Sequence, residues 1–332
     1  MLYFGLHDSQ QPCSPLDVYG DEVLYIWRMK YTNDRFELLE TFIRIAESGS
    51  LSKAAPLIGT TQPTISRRLS DLERLLGCKL VIRSTAGLSL TDEGRVLLAE
   101  AYGLRNSWED LSQRLSGSQS RPDGTLRVIG PAGYANSFLI DVITSLRLQY
   151  PQLRIELTLT DHVKEFSATG AECWICVGTV QDPGLAIRYL GKMRRILIAA
   201  PQLVGTLGKL NISRLASAPF IGLIPHVMGE VRFVHTSGKT CMVTLDTPLK
   251  TDSLQANYRA VLNGAGIGSA APWMCDADIR SGKLVQVLPH WSLEPIGIHI
   301  ALPPGVFRPA RVTALITAVE SHLCSLSGFI PA

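Results

Sequence analysis

Thr61-Gln62-Pro63-Thr64-Ile65-Ser66-Arg67-Arg68-Leu69-Ser70-Asp71-Leu72-Glu73-Arg74-Leu75-Leu76 is the stretch on which the reading of this chain turns. Ile65, Leu69, Leu72 and Leu76 recur at helical spacing, so one face is built for burial. Thr64, Ser66, Arg67, Arg68 and Arg74 fall on the other faces. Pro63 suits a first helical turn, where its N–H has no partner to lose. Upstream, Ser50 can cap a second helix over 51–58, with Ala54 and Ala55 small enough for close packing, and Gly59-Thr60-Thr61 makes a tight turn. Further back, Phe36, Leu39, Phe42, Ile43 and Ala46 form the apolar stripe of a first helix, capped by Asn33 or Asp34 and ended by Gly49.

Helix, turn and helix in this order match a motif that reads duplex DNA. The side chains suit that task. Gln pairs a donor and an acceptor with an adenine edge, Arg grips guanine or phosphate, and small hydroxyls reach phosphate oxygens. Between Lys53 and Arg83 lie six basic side chains (Lys53, Arg67, Arg68, Arg74, Lys79, Arg83) against Asp71 and Glu73. A small helical bundle with a solvated basic face has the same bare pattern. The segment after the third helix separates the two. Leu80–Arg83 reads as a strand, 84–87 as a turn and Leu88–Leu90 as a return strand, a hairpin placed where a wing belongs, with Arg83 at its base. Thr91 then caps a long helix whose first turn holds Asp92 and Glu93. Its Leu97, Ala101, Leu104, Trp108, Leu111 and Leu115 are spaced as a heptad seam, which predicts pairing with a second copy; packing on its own domain is the alternative.

These segments resemble the amino-terminal domain of LysR-type transcriptional regulators. The likeness rests on Leu39-Glu40-Thr41-Phe42, on Glu47 through Ala55, on Thr61 through Leu69, and on Asp71-Leu72-Glu73 through Leu76-Gly77. Leu80 with Arg83 and Leu90-Thr91-Asp92-Glu93-Gly94 complete it. The resemblance implies that Thr61, Gln62, Pro63, Thr64, Ser66, Arg67 and Arg68 face DNA, with Gln62, Pro63, Thr64, Ser66 and Arg67 in the major groove. Ser52 and Lys53 would meet the backbone and Arg83 would touch DNA from the wing. Two positions depart from the pattern. Pro56 lies inside the second helix, where a polar residue is usual, and Val81 stands where the wing usually has Phe.

Ser116 through Gly124 reads as a hinge linker (117–124) by composition. Beyond it, strands over 125–130, 153–159 and 173–177 alternate with a helix over 135–149, implying an open α/β sheet. Further strands are expected within 190–200, 242–249, 267–270, 284–288 and 296–301, with helices over 253–263 and 309–323. This order resembles the family's periplasmic-binding-protein-like effector domain, with echoes at Tyr150-Pro151, Leu190-Gly191, Gly264 through Gly268 and Gly282-Lys283-Leu284-Val285. The resemblance implies two α/β subdomains over 125–325, joined by crossovers near Arg195 and Pro295, with a ligand cleft between them. Loop positions at strand ends nominate Gly130, Ala132, Gly133, Tyr134, Asp161, Cys176, Gly178, Thr251, Ser253 and Gly266 as effector contacts. The 130–134 loop is read as leading into a helix amino terminus suited to an anion. Cys176 stands where many relatives carry Arg or another polar residue, so a carboxylate there loses its expected cation.

Other signals point away from chemistry. Gly264-x-Gly266-x-Gly268 follows a helix and precedes a strand, the reverse of a dinucleotide loop. Cys173 and Cys176 on one strand face opposite sides, which suits buried structural thiols better than a bridge or a metal site. The seven histidines show no ligand spacing, and no G-x-S-x-G elbow occurs. No catalytic residue, cofactor or metal is expected. The 332 residues suggest about two domains, and at 46% hydrophobic and 18% charged the chain is not a disordered one. Its longest apolar runs are broken by Gly or Pro, so no membrane span is expected. The net charge of +3 is uninformative, and seven scattered cysteines favour a reducing cytoplasm. Residues 1–33 carry no periodic pattern and no signal-peptide features; they read as a disordered extension, with Met29 as an alternative start.

The sequence therefore predicts a winged helix-turn-helix over 34–90, a linker and dimerisation helix over 91–116 and a two-subdomain α/β effector domain. The expected partners are double-stranded DNA, a small-molecule effector and further copies of the chain in a homodimer or homotetramer. RNA polymerase at the promoter is compatible with that role. The rival reading is a small-molecule-binding protein or α/β enzyme whose helical domain serves assembly alone.

Overall fold

The computed structural model describes residues 35–84, 87–115, 121–134, 138–161, 163, 166–180, 182–227, 229–304 and 308–332. The expected extension over 1–33 lies outside these residues, as do the wing tip at Thr85 and Ala86, the first part of the linker (116–120) and the expected helix start at 135–137. The chain forms two compact units that divide at Arg105 and Asn106.

In the first unit, α1 (Arg35–Ser48), α2 (Leu51–Leu57) and α3 (Gln62–Leu76) precede a hairpin of β1 (Val81–Ser84) and β2 (Gly87–Leu90). The hairpin is antiparallel and pairs Val81 with Leu90 and Arg83 with Leu88. The helix α4 (Asp92–Leu115) follows. One core unites Phe42, Ile43 and Ile45 of α1, Ala54 and Ala55 of α2, and Ile65, Leu69 and Leu72 of α3. Leu98, Ala101 and Tyr102 of α4 join that core, so the unit boundary falls inside α4 rather than ahead of it. Pro56 sits exposed near the end of α2, which stops at Leu57, one residue short of the span expected from sequence.

The second unit is organised by a mixed sheet ordered β11-β6-β13-β5-β3-β4. Its first elements are β3 (Gly124–Gly130), a single 3-10 turn (Ala132–Tyr134), α5 (Ile140–Gln149), β4 (Leu153–Leu159) and β5 (Cys173–Val177). β3 runs parallel to both β4 and β5. The long β6 (Ala186–Ala199) leads to α6 (Pro201–Leu207), β7 (Pro219–Leu223), β8 (Glu230–His235), β9 (Thr240–Thr244), β10 (Asp246–Thr251) and α7 (Leu254–Leu262). β11 (Gly268–Ala270), α8 (Pro272–Arg280), β12 (Val285–Gln286), β13 (Trp291–Leu302), α9 (Ala310–Ser325) and β14 (Phe329–Pro331) complete the order. The single strand expected over 242–249 is two, because Leu245 turns into the core between β9 and β10. The helix expected from 135 is described as α only from Ile140.

β6 and β13 pair antiparallel from Ala186 with Leu302 to Ile196 with Ser292, and they serve two cores. Met193, Ile298, Ile300 and Leu302 enter a core with α5 and α9. Leu197 and Leu293 enter another with Phe220 and Phe233. Positions 195 and 295, where crossovers are expected from sequence, lie on this pair beside a register shift between Leu293 and Ile296.

One polar pair is sealed inside the first of these subdomains. Arg311 of α9 is 1% exposed, and its Nε and Nη2 donate to Glu172 at 2.6–3.1 Å. The Arg127 backbone N–H donates to the same carboxylate at 3.2 Å. Removing one partner strands the other charge in the interior. Arg311→Ala should therefore lower stability by about 3–5 kcal/mol, read as a fall in the urea midpoint of the second unit's transition.

Candidate functional site

The first surface is set by α3. Thr61 is its N-cap, Pro63 lies in its first turn, and Gly77 in the left-handed conformation ends it. Burial of Ile65, Leu69 and Leu72 fixes the rotation of the helix, which leaves Thr61, Gln62, Pro63 and Arg67 exposed and Thr64 and Ser66 half-buried. Thr61 and Thr64 share a hydroxyl hydrogen bond of 3.0 Å. Arg83 Nη2 donates to Ser66 Oγ at 3.3 Å, so the base of the hairpin and α3 form one continuous surface. On α2, Ser52 and Lys53 are exposed, while Ser50 Oγ accepts from the Lys53 N–H at 3.5 Å and caps the helix. Arg68 differs from its expected placement. It is ion-paired with Glu37, so it fastens α3 to α1.

The support beneath this surface is polar. Glu73 of α3 is buried, accepts from Lys79 Nζ at 2.5 Å and takes the Leu80 N–H at 3.0 Å. Burial pushes the Glu73 carboxyl up, but these partners together hold it below the usual glutamate value. Thr91 Oγ1 donates to the Lys79 carbonyl at 2.7 Å and accepts from the Gly94 N–H at 2.9 Å. A Cβ at position 94 would lie 2.1 Å from the Leu80 carbonyl oxygen, so only glycine lets α4 start against the hairpin. This explains the Thr91-Asp92-Glu93-Gly94 signature physically.

The expected heptad seam on α4 divides. Ala101 is 1% exposed and Leu97 half-buried, both packing against the first unit's own core. Leu104, Trp108, Leu111 and Leu115 are exposed, Leu115 at 80%. Val96, exposed as well, lies outside the seam read from sequence.

The second surface is a cavity of about 850 Å³ within the second unit. Of the nominated effector contacts, Gly133, Tyr134, Asp161 and Cys176 line it. The other six are not in its wall. Gly130 and Gly266 are buried where a side chain would strike Leu139 and the Pro219 carbonyl, so both serve packing. Ser253 Oγ accepts from the Ala256 N–H and caps α7, and Thr251 Oγ1 accepts from the Ser253 N–H and braces the turn ahead of it. Ala132 lies on the 3-10 turn, and Gly178 sits behind His226, a Cβ there being 3.0 Å from that ring.

Sequence reasoning missed most of the wall. Trp174, Trp273, Met274, Leu223, Ile224, Pro225, His226, Leu254 and Ile296 give it an apolar character, with Thr160, Thr179, Asp182, Asp252 and Ser269 adding polar groups. Arg195, marked by the sequence only as a crossover, also lines it. Its Nε and Nη2 donate to the Glu294 carbonyl at 3.0 and 2.5 Å. Burial pulls the Arg195 pKa downward, against the opposing influence of Tyr134 and Glu294, yet a guanidinium stays charged. Burial pushes the Tyr134 phenol up to about 12, with Arg195 and Asp161 close enough to act on it in opposite directions. Cys176 Sγ lies 3.5 Å from the His299 carbonyl; burial raises its thiol to about 12 and pushes the Cys173 thiol up as well. Both thiols are therefore poor nucleophiles.

Residues 36–95 match the bacterial regulatory helix-turn-helix protein, lysR family, and residues 119–324 match the LysR substrate binding domain. The chain belongs to the LysR-type transcriptional regulators. The regulator is 26% identical over 299 residues to an HTH-type transcriptional repressor of Pseudomonas aeruginosa, covering 86% of this chain and 91% of that one. It is 27% identical to the HTH-type transcriptional regulator PtxR of the same species, covering 86% and 92%. In fold it is similar to ArgP from Mycobacterium tuberculosis, with a TM-score of 0.63, 16% identity and coverage of 87% and 97%. It is likewise similar to the Vibrio cholerae virulence activator AphB, with a TM-score of 0.56, 22% identity and coverage of 86% and 98%. Among the described residues, no helix of the regulator is long and apolar enough to cross a membrane.

The Glu73 bonds make a local prediction. Stability from its ionised carboxylate is present above the ordinary glutamate range and is lost as pH falls through the lowered value. Glu73→Gln should cost about 1–2 kcal/mol at neutral pH, seen as roughly tenfold faster amide hydrogen exchange over residues 77–84. In wild type the same acceleration should set in on acidification, and the variant should show little further change.

Proposed function

We propose that the regulator binds promoter DNA as a dimer, laying α3 in the major groove with the hairpin on the adjoining backbone or minor groove. The observation that carries this is the Arg83–Ser66 bond, which joins the hairpin base to α3 beside the exposed Gln62, Pro63 and Arg67. Ser52 and Lys53 supply phosphate contacts from α2, and Thr61, Thr64 and Ser66 reach phosphate oxygens. The exposed Leu104, Trp108, Leu111 and Leu115 pair with their copies in a second chain, and two heads on a two-fold axis read an interrupted palindrome. A dimer of dimers extends the same scheme.

A small molecule in the 850 Å³ cavity shifts the balance between two arrangements of the subdomains by binding one better than the other. RNA polymerase is the machine that the bound regulator helps or excludes, and the cytoplasm is where a bacterial-type promoter lies. The regulator recognises molecules without transforming them, in keeping with relatives that are transcriptional regulators.

Footprinting and gel retardation on DNA upstream of the adjoining genes test this reading. Arg67→Ala or Gln62→Ala should weaken specific binding by about 1–3 kcal/mol without unfolding the chain. Arg68→Ala should act chiefly on stability, because Glu37 holds that side chain. Unchanged retention of the cognate fragment by the first two variants favours the assembly-domain alternative. Trp108→Glu should halve the mass seen in sedimentation, while Ala101→Glu should unfold the first unit.

A further inference from the structure

We infer that the effector is an aromatic organic monoanion whose charged group is held by Arg195. The inference rests on the reading of this cavity as the effector site. Arg195 is half-buried in the cavity wall, and no carboxylate among the described residues lies within ion-pair distance of it. Its two bonds to the Glu294 carbonyl use Nε and Nη2 and fix the plane of the guanidinium, leaving Nη1 without a partner among the described residues. A partly desolvated cation with no carboxylate at ion-pair distance is costly, and an anion seated on it lowers that cost.

The body of the ligand follows from the remaining wall. Trp174 and Trp273 both line the cavity. Flat apolar surfaces suit an aromatic body. Asp161, Asp182 and Asp252 also border the cavity and repel anionic charge, so only the group seated directly on Arg195 can be an anion, and a singly charged ligand is favoured over a phosphate or dicarboxylate. Arg195 pairs with Leu293 immediately before the register of β6 and β13 shifts, so the ligand's charge binds on the strands that join the subdomains.

The test titrates the full-length protein by calorimetry with phenylacetate, indole-3-acetate and 2-naphthoate, alongside the matching carboxamides and primary amines. At least one carboxylate should bind tenfold or more tightly than its carboxamide, with the amine weaker still. Arg195→Gln should erase the preference; if that variant fails to fold, the charge series on the wild type decides alone. Carboxamides or amines binding as well as the carboxylates would overturn the charge assignment and leave the cavity as the effector site. A preference that survives in a folded Arg195→Gln protein would overturn the role of Arg195. If no body binds in any charge state, both the ligand class and the effector-site reading fail, whereas DNA retention by the wild type would still stand.

Discussion

The antiparallel pairing of β6 with β13 is the constraint on which the ligand-binding unit depends. Each strand carries inward side chains for two separate cores, Met193 and Ile298 for one and Leu197 and Leu293 for the other. Both subdomains are therefore anchored to the same two strands. The ladder loses regularity where its register shifts, between Leu293 and Ile296 and again between Ile298 and His299. Arg195 sits beside the first shift, tied to the neighbouring strand through the Glu294 carbonyl. Charge, irregular pairing and cavity wall coincide in one side chain.

In the first unit the corresponding constraint is burial. Ile65, Leu69 and Leu72 must face α1 and α2, and this fixes which side of α3 is left for solvent. Recognition chemistry then depends on what occupies the free side. Gln62 and Arg67 remain available, whereas Arg68, one residue on, is taken up by Glu37. Adjacent arginines of identical chemistry thus acquire different tasks from a rotation of about 100° along the helix.

Much of this is legible in the sequence, and the reasons are physical. Helical periodicity, the Ser50 cap of α2 and Pro63 in the first turn of α3 are local, so the starts of both helices can be read directly, as can the hairpin and the start of α4. The seam on α4 is legible only in part, because heptad spacing cannot say whether Ala101 meets its own core or a partner. The cavity is least legible. Glycines at strand ends suggest close approach to a ligand, yet Gly130 and Gly266 approach protein. The wall is instead assembled from Trp174, His226, Trp273 and Ile296, which are far apart in sequence and carry no shared motif. Only tertiary packing brings them together.

The glycine at position 94 has a consequence for what the first unit tolerates. The Leu80 carbonyl oxygen stands where a methyl group would be, and Thr91 stitches the same joint from both sides. Any larger side chain there would act as a wedge, prising the long helix off the strand that it abuts.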